Sequence, residues 1–278
     1  MINPVLQTLR SGQPVFYEST FDLSVDNARK LVNDGYDIIR ANTEHKPLNL
    51  SELEAFCRAV RKFSSTERRT IVMVETPFRG VSEAVVEANS WVVDHLLNAG
   101  AESIILCQAV SVAAIESFVR CCTLGFQAFP DGTRGYRGYG SQVVSSEALG
   151  VQVPDYLKYG NPTSFFGGGL WLGVKLESKV CATICDDLHS VAGIDFSEWG
   201  PGDMGQSLGY PDAHDPPYPK SMVEIQKTIC DSALKNGKTF LNQCSEHDYK
   251  FWVDAGVRIF KPTNVDVMNK TRAYCKYR

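Results

Sequence analysis

The sequence predicts a (β/α)8 barrel, and three observations carry that expectation. Short apolar runs rich in Val, Ile and Phe alternate with amphipathic helical patterns, and eight such repeats fit within the 278 residues. Each run ends on a polar residue. No G-x-G-x-x-G follows the first run, so a doubly wound open sheet, the main alternative, lacks its usual mark. A hydrophobic content of 44% can fill the core of one large domain, expected to span residues 1–278.

Taken in order, residues 14–19 (PVFYES) read as a strand, and a helix from about Ser24 closes at Gly35. Residues 37–42 (DIIRAN) form the second strand, and Asn49 or Ser51 caps a helix to Phe63 with Leu50, Leu53, Phe56 and Val60 on one face. Residues 70–75 (TIVMVE) and a helix over 82–98 follow, then residues 103–108 (SIILCQ) and a helix over 111–123. The rhythm then breaks. Residues 129–169, opening FPDGTRGYRGYGS, read as a long Gly- and Arg-rich loop, the kind of excursion that usually carries function. Residues 170–177 make the fifth strand, 180–191 a helix and 196–199 the sixth strand, followed by a Pro-rich loop. A helix over 221–236, strands at 239–243 and 257–263 and a helix over 267–274 complete the series.

Charge and cysteine usage narrow the function. A net charge of −4 and a pI near 5.8 carry no basic footprint, which argues against a nucleic-acid or anionic-membrane partner and for a small molecule. Nine cysteines, an odd number without zinc-ligand spacing, read as buried reduced thiols. No apolar run approaches a membrane span and the N-terminus has no signal-like core, so a cytoplasmic protein is expected.

In a barrel, chemistry sits where the C-terminal ends of the strands meet. Those ends read Glu18, Asn42 with His45 just beyond, Glu75, Gln108, Glu177, Asp203, Gln243, and Lys261 with Thr263. For a lone strand-end Glu the ordinary reading is a helix cap or a solvated loop residue, and for Gln108 the satisfaction of loop backbone. Glu177 and Asp203 stand apart, because each ends an apolar strand and needs a cation or a donor to be there. Two such carboxylates suit a hard divalent ion, Mg2+ in particular. Arg40 lies two residues before Asn42 and so shares its side of the strand, which makes it the first cation to watch.

Four motifs then point to a family. Thr43-Glu44-His45, Arg137-Gly138 within TRGYRGYGS, Lys175-Leu176-Glu177-Ser178 and Gly200-Pro201-Gly202-Asp203-Met204 resemble the D-x-E-H, R-G-x-G-S, Q-I-E-T and G-P-x-D-L motifs of the HpcH/HpaI family of metal-dependent oxo-acid aldolases. Val153-Pro154-Asp155-Tyr156 is similar to that family's I-P-D-Y. The resemblance covers nearly the whole chain. It implies a barrel that exchanges its last helix with a neighbour in dimers and hexamers, and Mg2+, Mn2+ or Co2+ on Glu177 and Asp203. The chemistry it implies is carbon-carbon bond making and breaking beside the ketone of an oxo acid. His45 would be the general base and Arg137 part of the catalytic set. Backbone amides near Gly202 and Asp203 would hold the substrate carboxylate. Apart from the resemblance, Gln108 at a strand end, Arg40 by alternation and the aromatic Trp199 are further candidates for substrate binding.

This chain departs from the pattern at two places. Asn42 stands where the family has the Asp of a dyad with its histidine, and Glu75 stands where the family has a strand-end Arg. Glu75 opens an alternative, a decarboxylase, hydratase or dehydratase that uses it as a new acid or base, which would need a raised pKa. A non-catalytic binding relative is the third reading, weighed against the intact Glu177, Asp203, His45 and Arg137.

Overall fold

The computed structural model describes residues 3–65 and 68–276. Its strands are β1 (Val15–Thr20), β2 (Ile38–Ala41), β3 (Ile71–Arg79), β4 (Ser103–Cys107), β5 (Trp171–Lys175), β6 (Phe196–Glu198), β7 (Thr239–Cys244) and β8 (Ile259–Pro262). Each pairs in parallel with the next and β8 closes on β1, so the expected (β/α)8 barrel is the fold found.

Alternation along the strands divides the molecule into two cores. Phe16, Ile39, Val72, Val74, Ile104, Leu172, Phe240 and Phe260 face the helices and join the larger apolar cluster. Their neighbours Val15, Tyr17, Ile38, Ile71, Met73, Ile105, Trp171, Phe196, Leu241 and Ile259 point inward and fill the barrel. The rings of Trp171 and Phe196 lie 4.2 Å apart there. Gly173 makes room for them, since a Cβ at that position would fall 2.3 Å from the Phe196 ring. One step further along, the inward positions turn polar: Arg40, Glu75, Lys175, Glu198, Gln243 and Lys261. The apolar layer is therefore a floor beneath a charged cleft.

The helices start where short polar side chains cap them. Ser24, Asn49, Ser82 and Ser111 each accept a hydrogen bond from a backbone N–H three residues on. A helix at Pro4–Arg10, not foreseen in the sequence, is capped by Asn3 and adds Val5 and Leu6 to the barrel core from its N-terminal end. The pattern over 82–98 resolves into two helices, Glu83–Ala88 and Ser90–Asn98, because Asn89 turns its amide back onto the carbonyl of Val85. That over 180–191 likewise divides at Ile184. The expected 129–169 loop holds three short helices, Ser141–Leu149, Val153–Tyr159 and Thr163–Phe166. Helix Val265–Cys275 packs on its own barrel, with the Arg272 guanidinium 4.8 Å over the Phe16 ring. All nine cysteines are buried and unpaired. Among the described residues, no helix is long and apolar enough to cross a membrane.

Candidate active site at the C-terminal mouth of the barrel

The charged ends of the inward strand positions line a cleft of about 270 Å³. Its most telling member is Glu177, two residues past the end of β5 and 2% exposed. One carboxylate oxygen, Oε1, accepts the backbone N–H of Gln108 at 2.9 Å. The other, Oε2, is buried without a hydrogen-bond partner. Gln108 reaches Glu177 from a left-handed backbone conformation, φ 47°, held by a non-glycine residue. Such strain persists where the surroundings demand it, and here it aims an amide at the carboxylate.

Burial raises Glu177 to about 7. Lys175 works against that rise, and the negative charges of Glu44 and Asp203 add to it. Asp203 enters from the first turn of helix Pro201–Ser207, which follows β6. Glu44, His45 and Asp203 each place a ligand-type atom within 4.8 Å of the other two. The carboxylates of Glu44, Glu75, Glu177 and Glu198 thus converge on two buried cations, Arg40 and Lys175, with Asp203 beside Glu44. A buried excess of acid with an orphaned carboxylate oxygen is what a hard divalent cation requires. The donor set fits such an ion: Glu44, His45 and Asp203 have the mutual spacing of ligands, and the buried Glu177 carboxylate lines the same cleft.

Gly200 sets how closely the β6 turn approaches this carboxylate. A Cβ there would stand 1.9 Å from Glu177 Oε2. Gly200→Ala is expected to push the carboxylate aside and weaken divalent-ion binding by about tenfold or more, with the melting temperature little changed. Calorimetric titration with Mn2+ checks this, and undiminished affinity would refute it.

Around the acids runs an ion-pair network. Arg40 Nη1 meets Glu198 Oε2 at 2.5 Å, its Nε lies 3.6 Å from Glu75, and its guanidinium stacks 4.9 Å over the Tyr17 ring. Lys175 Nζ meets Glu44 at 2.6 Å, Glu75 at 3.3 Å and Glu177 at 3.4 Å. Burial opposes ionisation of Glu75, but Arg40 and Lys175 outweigh it and hold its pKa below the usual carboxylate value. Glu75 is therefore an ionised partner of two cations. The raised pKa needed for acid–base work near neutrality is not what its surroundings give.

The other expected site residues fall into two groups. His45 sits at the rim with its side chain 52% exposed, Nε2 3.5 Å from Glu44 Oε2. Asn42 lines the cleft, yet its Oδ1 accepts the backbone N–H of His45 and leaves the imidazole to Glu44. Gly202 lines the cleft, and Gln108 contributes its backbone amide. Arg137 and Trp199 do not line it. Arg137 is buried in the 129–169 segment, bonded to the carbonyl of Gly160 and the hydroxyl of Ser145 and stacked 5.6 Å over Tyr156. It staples that segment and, through Asp94 at 3.4 Å, ties it to helix Ser90–Asn98. Trp199 packs edge-on against Tyr218 in the outer core. Lys175, Glu44 and Glu198 were not singled out in the sequence, although alternation could have found two of them, as it found Arg40.

Comparison with known proteins bears on the fold and on the chain's relatives. No family model matches the chain. A hydroxypyruvate/pyruvate aldolase from Sagittula stellata is 28% identical over 228 residues, 82% of this chain and 76% of that protein. A 2-keto-3-deoxy-L-rhamnonate aldolase from Salmonella paratyphi B is 26% identical over 80% of this chain and 73% of its own length. An HpcH/HpaI aldolase/citrate lyase family protein from Burkholderia cenocepacia superposes with a TM-score of 0.75 at 19% identity, covering 99% of this chain and 98% of its own. A citrate lyase beta subunit from M. tuberculosis, solved with oxaloacetate and magnesium, superposes at 0.57 with 12% identity over 97% and 99% of the two chains. By sequence the chain is similar to curated aldolases, and its fold is that of solved HpcH/HpaI aldolase family proteins.

Proposed function

We propose that the chain is a divalent-metal-dependent carbon-carbon lyase that cleaves, or in reverse forms, a 4-hydroxy-2-oxo acid. The observation that carries this is the buried Glu177 carboxylate, its Oε2 without a hydrogen-bond partner, in an acid-rich cleft that Asp203 also lines. Bound by Glu177 and Asp203, Mg2+ would supply Lewis-acid polarisation of the substrate ketone. The chain's own groups do the rest. N–H groups of Gly202 and Asp203, free at the start of their helix, hold the substrate carboxylate. His45, at the rim where an aldehyde half would lie, takes the proton of the 4-hydroxyl, and Glu44 beside it stabilises the imidazolium that results. The apolar floor of Trp171 and Phe196 keeps water from the reacting carbons from below.

Mg2+ as the working ion, a cytoplasmic location and assembly into dimers or hexamers belong to the same proposal. Nine buried, unpaired thiols support the second. The test is to incubate purified protein with Mg2+, Mn2+ or Co2+ and a panel of 4-hydroxy-2-oxo acids, followed by mass spectrometry. Pyruvate or hydroxypyruvate should appear with an aldehyde, and chelation should stop their release. A protein that binds no divalent ion, or turns over equally well in chelator, would sink the proposal.

A further inference from the structure

The cations of the cleft are not equivalent. Arg40 is fully engaged by Glu198, Glu75, the Ser19 hydroxyl and the Tyr17 ring. Lys261 sits at the rim, paired with Glu18 at 3.6 Å. Lys175 differs from both. Its side chain is 7% exposed, two residues before Glu177 on the same inward side of the chain. An ammonium has three N–H donors, and only Glu44, at 2.6 Å, takes one at full hydrogen-bond length. Glu75 and Glu177 stand back at 3.3 and 3.4 Å, and both oxygens of Glu75 and Oε2 of Glu177 have no hydrogen-bond partner. The Lys175 ammonium is therefore held in place with donor capacity unspent, beside the carboxylate that would ligate the metal. Glu75 draws it from one side and Glu177 from the other.

Any anion seated next to Glu177 meets this ammonium first. A 2-oxo acid adds negative charge to a cleft already rich in carboxylates, and more charge collects on its ketone oxygen as the carbon-carbon bond breaks. A cation of the chain beside that oxygen would add to the ion's effect, and among the described cations of the cleft Lys175 is the one that is buried, adjacent to Glu177 and incompletely bonded.

We propose that Lys175 donates a hydrogen bond to the 2-oxo oxygen of the substrate, and that Glu75 is the positioning residue that holds Lys175 off Glu177. This rests on the metal-lyase reading above. In the step it serves, the C3–C4 bond breaks and its electron pair moves into the C2–C3 bond, placing charge on the ketone oxygen. The 4-hydroxyl proton passes to His45 as the aldehyde forms, and a proton returned to C3 restores the 2-oxo acid. Lys175 keeps its proton throughout. Glu75 thus has a use as the counter-charge of a lysine, in place of one as an acid or base.

The test is titration of oxalate, a planar dianion shaped like the enolate of a 2-oxo acid, into Mn2+-loaded protein, followed by calorimetry and electron paramagnetic resonance. Lys175→Gln leaves Glu44 and Glu75 without their cation, so the Lys175→Gln, Glu75→Gln double variant is measured beside it. Both are expected to bind oxalate roughly 30-fold or more weakly than wild type. Mn2+ affinity should hold or tighten, because an ammonium has left the ligand. Glu75→Gln alone should weaken Mn2+ binding by about fivefold or more, as Lys175 settles on Glu177. Oxalate affinity in the folded double variant within about threefold of wild type would overturn the proposal while leaving the metal reading intact. Absence of Mn2+ binding by the wild type would overturn the metal reading itself.

Discussion

Glu177→Gln is expected to reduce turnover by roughly 10³-fold, about 4 kcal/mol of transition-state stabilisation at 1.36 kcal/mol per decade. The amide can still accept the Gln108 N–H, so the backbone around it has no reason to move. What disappears is the charge that binds a divalent ion. The same substitution should act oppositely on stability. Folding raises Glu177 from its ordinary value to about 7, so the folded state binds this proton more tightly than the unfolded chain. Stability from this group is then present at low pH and lost as pH rises towards about 7. At pH 8 without metal, the ionised side chain costs about 3 kcal/mol on this reckoning, and Glu177→Gln removes that cost. Ion binding to the wild type must also displace this proton below pH 7, so affinity should fall by up to about tenfold per unit there and level off above. Metal titrations across pH 5.5–8.5 and denaturant unfolding check both. A variant as active as wild type, or one less stable than it at pH 8 in chelator, would contradict this account.

Arg40→Met carries the largest expected effect on folding. Arg40 is the counter-ion of Glu198 at 2.5 Å and a neighbour of Glu75, and all three are buried. Methionine matches much of the volume but leaves Glu198 without its counter-ion and Glu75 with Lys175 alone, and removing one partner of a buried pair costs about 3–5 kcal/mol. Urea unfolding should show that loss, and Glu198→Gln added to Arg40→Met should recover a large part of it by removing one orphaned charge. A loss below about 1 kcal/mol would mean that water reaches these groups and screens them.

Much of the architecture was legible because a parallel barrel writes a repetitive signal. Buried strands need unbroken apolar runs, helices between them need amphipathic periodicity, and both survive in a single sequence. Glu177 and Asp203 were legible for a similar reason: a carboxylate closing an apolar strand has few bland explanations. Lys175 and Glu198 were hidden within runs read as apolar, although the period of two that exposed Arg40 places them on the inward side as well. Glu44 was quoted within its motif and passed over, because nothing in a loop sequence says which of two adjacent polar residues turns inward. Arg137 was singled out from a loop motif, and its position depends on Gly160 and Ser145, contacts that have no local sequence signature. The three helices within 129–169 escaped notice because the glycines and arginines that open the segment suggest irregularity.

The apolar floor has a kinetic consequence. With Trp171 against Phe196 and the N-terminal helix beneath, the cleft is closed at its floor and opens towards the His45 rim. Whatever half of the substrate sits deepest, beside Glu177, can leave only after the half at the His45 rim has gone. On the proposed lyase reading, traffic would run last in, first out, with the aldehyde leaving before the oxo acid and, in the synthetic direction, the oxo acid arriving first.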